Sequence, residues 1–286
     1  TYVVYGSGAP FAAAIDLAAL DGGNGFRLDG IDPNDISGWS VASAGDVNGD
    51  GYDDIIIGAP GADPNGDSLG RESYVVFGSG GPFTAAIDLA ALDGSNGFRL
   101  DGVDPGDRSG TSVASAGDVN GDGYDDIIIG AYGANPNGDI FAGETYVVFG
   151  SGAPFAAAID LAALDGSNGF RLDGVDRGDF SGYSVASAGD VNGDGYDDLI
   201  VGAKLANPNG DFYAGETYVV FGSGTPFAAS IELGALDGSN GFRLDGIDAG
   251  DNSGHSVASA GGVNGDGYDD LIVGSPRGRG HTGVPP

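Results

Sequence analysis

The sequence predicts an all-β chain, a β-propeller built from four-stranded antiparallel blades. Three observations carry that expectation: a 72-residue unit recurs four times, each unit holds four short β-type runs, and Gly-, Asn- and Asp-rich turns separate the runs. The period is read from three strings. GFRLDG begins at Gly25, Gly97, Gly169 and Gly241. The tyrosine of YVVYG or YVVFG falls at Tyr2, Tyr74, Tyr146 and Tyr218, and VNGDGYDD begins at Val47, Val119, Val191 and Val263.

Within a unit the first run is SVASAG (40–45), whose small residues suit a narrow centre. The second is DIIIGA (54–59), whose triple isoleucine suits a strand buried on both faces. The third is YVVFG (74–78) and the fourth GFRLDG (97–102). The stretch 11–20, FAAAIDLAAL, reads as a loop with one or two helical turns. Four strands at this period match a propeller blade, which a neighbour covers on each face. Residues 2–6 and 25–30 supply a third and fourth strand, and residues 256–261 and 270–275 a first and second. The expectation is therefore one domain over 1–286, a four-blade ring closed by strands from both termini. One blade would be shared between residues 1–30 and 253–276. A piece of a larger ring remains an alternative, and so does self-association of two chains into eight blades.

Composition narrows the function. Glycine fills 58 of 286 positions, yet 41% of residues are hydrophobic, enough for a core. No Gly-X-Y period runs through the chain, which excludes collagen. The net charge of −32, with Lys204 the one lysine, excludes a nucleic-acid footprint and attraction to an anionic membrane. No apolar run approaches the ~20 residues of a membrane helix, so no membrane insertion is expected. There is no Cys, so neither disulfides nor thiolate metal sites arise. The absence of Met, position 1 included, marks a processed product or an excised segment.

The acids are almost all Asp, and they concentrate in the turn between the first two runs. There DVNGDGYDD sets oxygen donors at alternate positions: Asp46, Asn48, Asp50, the backbone carbonyl of Tyr52, and Asp54. Ca²⁺ takes about six to eight oxygens, and such spacing wraps a short loop round the ion. Gly51 stands where the loop must turn sharply, as glycine does in an EF-hand, although here the loop joins two strands. The second copy is Asp118, Asn120, Asp122, Tyr124 and Asp126; the third is Asp190, Asn192, Asp194, Tyr196 and Asp198. In the fourth, Gly262 replaces the first Asp, leaving Asn264, Asp266, Tyr268 and Asp270. The expected cofactor is Ca²⁺, in three strong sites and a fourth weakened by Gly262. Asp53, Asp125, Asp197 and Asp269 read as solvent-facing or capping rather than coordinating.

The run SG-x-SVASAGDVNGDGYDDIIIGAP followed by YVVFG resembles the FG-GAP repeat, which builds the propeller head of integrin α subunits and occurs in many secreted bacterial proteins. The resemblance covers essentially the whole chain. It implies bound Ca²⁺ in the loops between strands 1 and 2, ligand recognition on the opposite face, and an extracellular or cell-surface location. Two departures stand out. Integrin heads have seven blades, and the leading FG is here SG at Ser37-Gly38, Ser109-Gly110, Ser181-Gly182 and Ser253-Gly254.

The four copies diverge on the face away from the Asp loops. One position holds Trp39, Thr111, Tyr183 and His255; a second Ile36, Arg108, Phe180 and Asn252; a third Pro60, Tyr132, Lys204 and Pro276. Trp39, Tyr132, Phe180, Tyr183 and His255 are the candidate ligand contacts, suited to stacking on a sugar or anchoring a protein. Arg177-Gly178-Asp179 spells RGD but replaces PND, PGD and AGD in the same turn, so it reads as structural. Arg27, Arg99, Arg171 and Arg243 read as pairing with nearby carboxylates. Near-identical repeats single out no catalytic pair, His281 lies in a divergent tail, and no GxSxG or HExxH occurs. The expected function is a Ca²⁺-stabilised, non-catalytic binding or adhesion module for a protein or carbohydrate ligand. The alternative is a structural spacer or self-assembling unit of a larger exported protein or fibre.

Overall fold

The computed structural model describes residues 1–62 and 71–278, so His281 lies outside the described residues. The strands run in chain order. They are β1 (Tyr2–Val4), β2 (Gly25–Asp29), β3 (Ser40–Gly45), β4 (Asp54–Ala59), β5 (Glu72–Val76), β6 (Ala86–Asp88) and β7 (Gly97–Asp101). Next come β8 (Ser112–Gly117), β9 (Asp126–Ala131), β10 (Glu144–Val148), β11 (Ala158–Asp160) and β12 (Gly169–Asp173). The third set is β13 (Ser181–Gly189), β14 (Asp198–Ala203), β15 (Glu216–Val220), β16 (Ser230–Glu232) and β17 (Gly241–Asp245), followed by β18 (Ser256–Gly261) and β19 (Asp270–Gly274).

Three complete antiparallel blades follow: β3-β4-β5-β7, β8-β9-β10-β12 and β13-β14-β15-β17. They are the blades of a β-propeller, flanked by the half-blades β1-β2 and β18-β19. The register repeats from blade to blade. Ile56 faces Val75 as Ile128 faces Val147 and Ile200 faces Val219. The second strand of each complete blade is buried along nearly its whole length, as its aliphatic run requires. Facing blades interdigitate. Ala44, Ile56 and Val75 of one blade meet Val113, Ile127 and Ile129 of the next.

Two features of the connections were not expected. Between the third and fourth strands the chain forms a short extra strand that pairs in parallel with the outer strand of the preceding blade. Thus β6 joins β2, β11 joins β7 and β16 joins β12. Beside it Phe83, Phe155 and Phe227 stack on Phe26, Phe98 and Phe170 of the preceding blade, at 4.7, 4.5 and 4.4 Å between ring centres. Each unit therefore straps itself to its predecessor. The stretch 11–20 contains one short 3-10 turn, Leu17–Ala19, which Asp16 caps by accepting from Ala18 N–H.

The first strand of each unit ends in a β-bulge at Gly45, Gly117, Gly189 and Gly261, each with positive φ, which feeds the chain into the Asp loop. The expected ring closure is not seen. β1-β2 and β18-β19 lie in separate sheets, and β1 does not pair with β19 among the described residues.

Candidate functional site

Each Asp loop folds round its own side-chain oxygens. In the first loop, Asp46 Oδ1 and Asn48 Oδ1 both accept from Asp50 N–H, at 3.0 and 2.8 Å. Asp46 Oδ2 accepts from Gly51 N–H and Asp50 Oδ1 from Tyr52 N–H. Two oxygens sharing one N–H must lie close together, so positions 1 and 3 converge. Asp54 closes the loop. It is buried and accepts from Val47 N–H at 3.0 Å and from Gly78 N–H at 2.8 Å. The loops of Asp118–Asp126 and Asp190–Asp198 repeat this network.

Burial raises the last carboxyl of each of these loops. Asp54 is pushed up to about 6, Asp126 to about 8 and Asp198 to about 6; two backbone N–H bonds pull each down by less, and neighbouring carboxylates add a smaller upward push. The donors are all hard oxygens: three carboxylates, an amide and a nearby carbonyl. That set fits a hard divalent cation and offers nothing to a soft one. Carboxylates and histidines alone form no cluster of three or more able to hold a metal among the described residues. What converges is a mixed set, with much of it bonded to loop N–H groups, and each carboxylate oxygen keeps a second lone pair.

The fourth loop differs. Gly262 offers no carboxylate; Asp270 Oδ2 accepts from Val263 N–H, as the last Asp of the other loops does from its valine, and also from Asn264 N–H. Asp266 N–H still reaches Asn264 Oδ1, and Tyr268 N–H reaches Asp266 Oδ1. A Cβ built on Gly262 would lie 3.5 Å from the Tyr268 carbonyl, so positions 1 and 7 still face each other.

Asp125, Asp197 and Asp269 do more than face solvent. Asp125 Oδ2 accepts from Asp46 N–H of the preceding blade's loop at 2.8 Å, while Asp125 N–H donates to Asp46 O. Asp197 grips Asp118, and Asp269 grips Asp190, in the same way. The tyrosine before each joins in. A Cβ on Gly49 would lie 2.3 Å from the Tyr124 ring, and one on Gly45 2.2 Å from Asp125 Oδ2. Each of the first three Asp loops is thus clamped by a Tyr-Asp pair from the next blade. A single unit's sequence gives no hint of this contact, because the partners are 79 residues apart.

On the other face the structure gathers four of the five aromatic candidates. Tyr132 lies 5.4 Å from Phe180 and 5.3 Å from Tyr183, and Tyr183 lies 5.3 Å from His255. Trp39 is 62% exposed and makes no ring contact with them among the described residues. Lys204 sits 3.1 Å above the Tyr183 ring, and Arg108 donates to the Tyr132 hydroxyl. Phe141, absent from the sequence-derived set, packs edge-on against Phe180 at 5.7 Å. Phe212 and Tyr213 are exposed at the corresponding loop one blade on. Their signal was the insertion of aromatics into the second-to-third-strand loops, DIFAGE and DFYAGE.

The backbone at Ile36, Arg108, Phe180 and Asn252 is left-handed, with φ between 56° and 61°. Only asparagine suits that region; a β-branched or bulky residue there is strained. Asp179 of the RGD string is 2% exposed and accepts from Asp176 N–H, so its carboxylate is turned inward. The strand arginines pair as expected. Arg99 lies 2.5 Å from Asp101 and 3.6 Å from Glu72, with Arg171 and Arg243 alike and Arg27 on Asp29.

Repeating antiparallel blades with an Asp-rich loop at each first turn define a repeat β-propeller. The FG-GAP repeat model matches residues 37–71, 109–148, 181–220 and 253–284, about half of the chain, and the chain belongs to the FG-GAP repeat family. Phosphatidylinositol-glycan-specific phospholipase D from Bos taurus is 34% identical over 191 residues, 63% of this chain and 21% of that protein. Integrin alpha-V from Gallus gallus is 34% identical over 172 residues, 58% of this chain and 14% of the integrin. Integrin alpha-PS2 from Drosophila melanogaster is 30% identical over 220 residues, 75% of this chain and 14% of the integrin. The chain spans about a fifth or less of the length of these relatives. No helix among the described residues is long and apolar enough to cross a membrane.

Proposed function

We propose that residues 1–286 act as one calcium-stabilised, non-catalytic binding or adhesion module of an extracellular or cell-surface protein. A protein or glycan ligand would dock on the face opposite the Asp loops. The observation that carries this reading is the cluster of Tyr132, Phe180, Tyr183 and His255, flanked by Lys204 and Arg108. At two of its positions, Arg108 and Phe180, a large side chain is kept on left-handed backbone where glycine would relax the chain. Such retention is expected of a residue selected for its side chain. Aromatic faces beside cationic groups suit acidic sugars and acidic peptide segments.

The calcium half of the reading rests on the hard-oxygen donor set and on the raised carboxyls Asp54, Asp126 and Asp198. A divalent cation supplies the positive charge that lets those groups ionise while buried. Calcium in turn points to surroundings where it is abundant, outside the cell. Integrin relatives favour adhesion; the phospholipase relative is matched over about a fifth of its length.

The test is a calcium-replete screen of the chain against glycan and extracellular-matrix protein arrays. Hits lost in the double variant Phe180→Ala/Tyr183→Ala and kept in Trp39→Ala support the reading. Hits unaffected by the double variant, or no hits at all, contradict it.

A further inference from the structure

We infer that the aromatic cluster opposite the Asp loops is an anion site whose ligand is an acidic polysaccharide, held through sugar carboxylates or sulfates by Arg108, Lys204 and the Tyr132 hydroxyl. The inference rests on the binding-face reading above and narrows it to one class of ligand.

The first observation is where positive charge stands. The chain has 10 Lys and Arg side chains against a net charge of −32. Arg27, Arg99, Arg171 and Arg243 are ion-paired with carboxylates inside the blades. Arg71, Arg108, Arg177, Lys204 and Arg277 stand in the loops of the opposite face, and none of them has an ion pair among the described residues. Arg279 lies outside the described residues. Unpaired cations are thus gathered away from the acidic loops, where their field draws anions to that face of an otherwise repelling molecule.

The second observation is what the tyrosines do. Lys204 Nζ sits 3.1 Å from the centre of the Tyr183 ring, and the Arg108 guanidinium 5.2 Å from that of Tyr132. Arg108 also donates to the Tyr132 hydroxyl. Both cations are therefore held in place on ring faces, which cuts the side-chain ordering that binding would otherwise cost. Arg71 approaches the same spot. It donates to the Pro60 carbonyl, and its Nε is buried with no partner among the described residues. Burial lowers Arg71 from its ordinary value and the Arg108 charge lowers it further, with Tyr132 and Asp107 acting less in the opposite sense. An anion beside two crowded guanidinium groups relieves their repulsion.

The third observation is the balance of donors. The Tyr132 hydroxyl accepts from Arg108, so its own proton is left to donate. Arg108 keeps further N–H groups, and Lys204 faces the Tyr183 ring rather than a carboxylate. Asp179, next to Phe180, is 2% exposed and turned inward. The site offers N–H and O–H donors without a carboxylate of its own in ion-pair contact, the complement of a carboxylate or sulfate.

Shape selects the class of ligand. Phe180, Tyr132, Tyr183 and His255 each touch the next, at 5.4, 5.3 and 5.3 Å between ring centres. Rings in contact make a continuous surface, whereas a protein partner anchors by side chains seated in pockets. An acidic sugar is flat and carries an apolar C–H face and a charged group on one ring. Phe180 and His255 hold no cation, so their faces meet the C–H surfaces while Arg108 and Lys204 take the charges.

The test is calorimetric titration of the whole chain, with calcium present throughout, against hyaluronate oligosaccharides, dextran sulfate, neutral dextran and poly-L-glutamate. The expected result is saturable binding of hyaluronate or dextran sulfate, the preferred one naming the anionic group, and no binding of dextran. Lys204→Gln and Arg108→Gln should each weaken that binding about tenfold, the loss of roughly one hydrogen bond to a charged group. Neither side chain is buried, so both variants should melt like the parent. Arg177→Gln removes the same charge from the same face without touching a ring, and should leave affinity unchanged.

Failure of both anionic glycans overturns the inference, as does equal binding of neutral dextran or of poly-L-glutamate. Binding unmoved by Lys204→Gln and Arg108→Gln, or weakened as much by Arg177→Gln, overturns it too. In any of these cases a ligand lost from Phe180→Ala/Tyr183→Ala would still be a ligand of this face, so the two readings fail separately.

Discussion

The third and fourth Asp loops share a backbone and differ at one decisive side chain. In the third, Asp190 accepts from Asp194 and Gly195 N–H groups, and Asp198 is free to hold Val191 and Gly222. In the fourth, Gly262 offers no carboxylate to those donors, Asp266 N–H keeps Asn264 Oδ1, and Asp270 holds Val263 as before and takes Asn264, with no counterpart of Gly222 beside it among the described residues. Yet Tyr268 and Asp269 of the fourth loop still clamp the third, at Gly193 and at Asp190 N–H. The loop does two separable jobs. Alternate oxygens converge where the proposed ion would sit, and a Tyr-Asp pair faces backward to fasten the neighbouring blade. The fourth copy has lost part of the first job and kept the second.

The largest expected effect separates the loops from the opposite face by pH. Asp54, Asp126 and Asp198 have folded-state values raised from 3.8 to about 6, 8 and 6. Between those limits the folded metal-free chain binds more protons than the unfolded chain, so stability falls as pH rises from about 4 to about 8, by on the order of several kcal/mol. Asp107 and Asp179, raised by burial to about 6 and about 7 on the other face, contribute the same sign. Saturating calcium should abolish the part due to the loops and leave the part due to Asp107 and Asp179. Melts at several pH values, with calcium and with chelator, check this; identical slopes would break the distinction.

Making the third loop resemble the fourth is the next test. Asp190→Gly should remove one tight site and lower stability in calcium by about 2–3 kcal/mol, the linkage expected at 100-fold saturation. In chelator the loss should be far smaller. Titration calorimetry beside paired melts reads both.

Removing a clamp should act with or without the ion. Asp125→Ala deletes the bond to Asp46 N–H and should cost about 1–2 kcal/mol in either condition, in the range of a charge-assisted hydrogen bond discounted for partial exposure. Urea unfolding at fixed calcium, repeated in chelator, measures it. The smallest change is the reverse engineering of the fourth loop. Gly262→Asp has room, and a gain in calcium affinity of about tenfold there corresponds to about 1.4 kcal/mol. Without calcium the added carboxylate should destabilise slightly.

Much of this was legible in the repeat itself. The bounds 40–45 and 54–59 of the first two strands match β3 and β4, because a β-branched run bracketed by Gly and Asp leaves little freedom. The third strand begins two residues earlier than YVVFG suggests, since Glu72 and Ser73 continue the ladder and Glu72 buries its carboxylate against Tyr74 and Arg99. Strands β6, β11 and β16 were hidden in alanine-rich sequence of low β-propensity; what makes them strands is the outer edge of the preceding blade. The Tyr-Asp clamp was invisible for the same reason: it is a contact between copies, and a unit read alone shows only its own turn. Of the proposed binding face, the divergent positions pointed to Tyr132, Phe180, Tyr183 and His255, which the fold brings together. Phe141 lies in a loop that departs from the first unit's pattern, and only the fold brings it to Phe180.

The most direct test of the central claim, that the Asp loops are cation sites graded by their first residue, is calorimetric titration of the metal-free chain with calcium. The account predicts three tight sites and a fourth that is weaker, with the count falling to two tight sites in Asp190→Gly. Absence of saturable binding, or four equal sites in the unaltered chain, would contradict it.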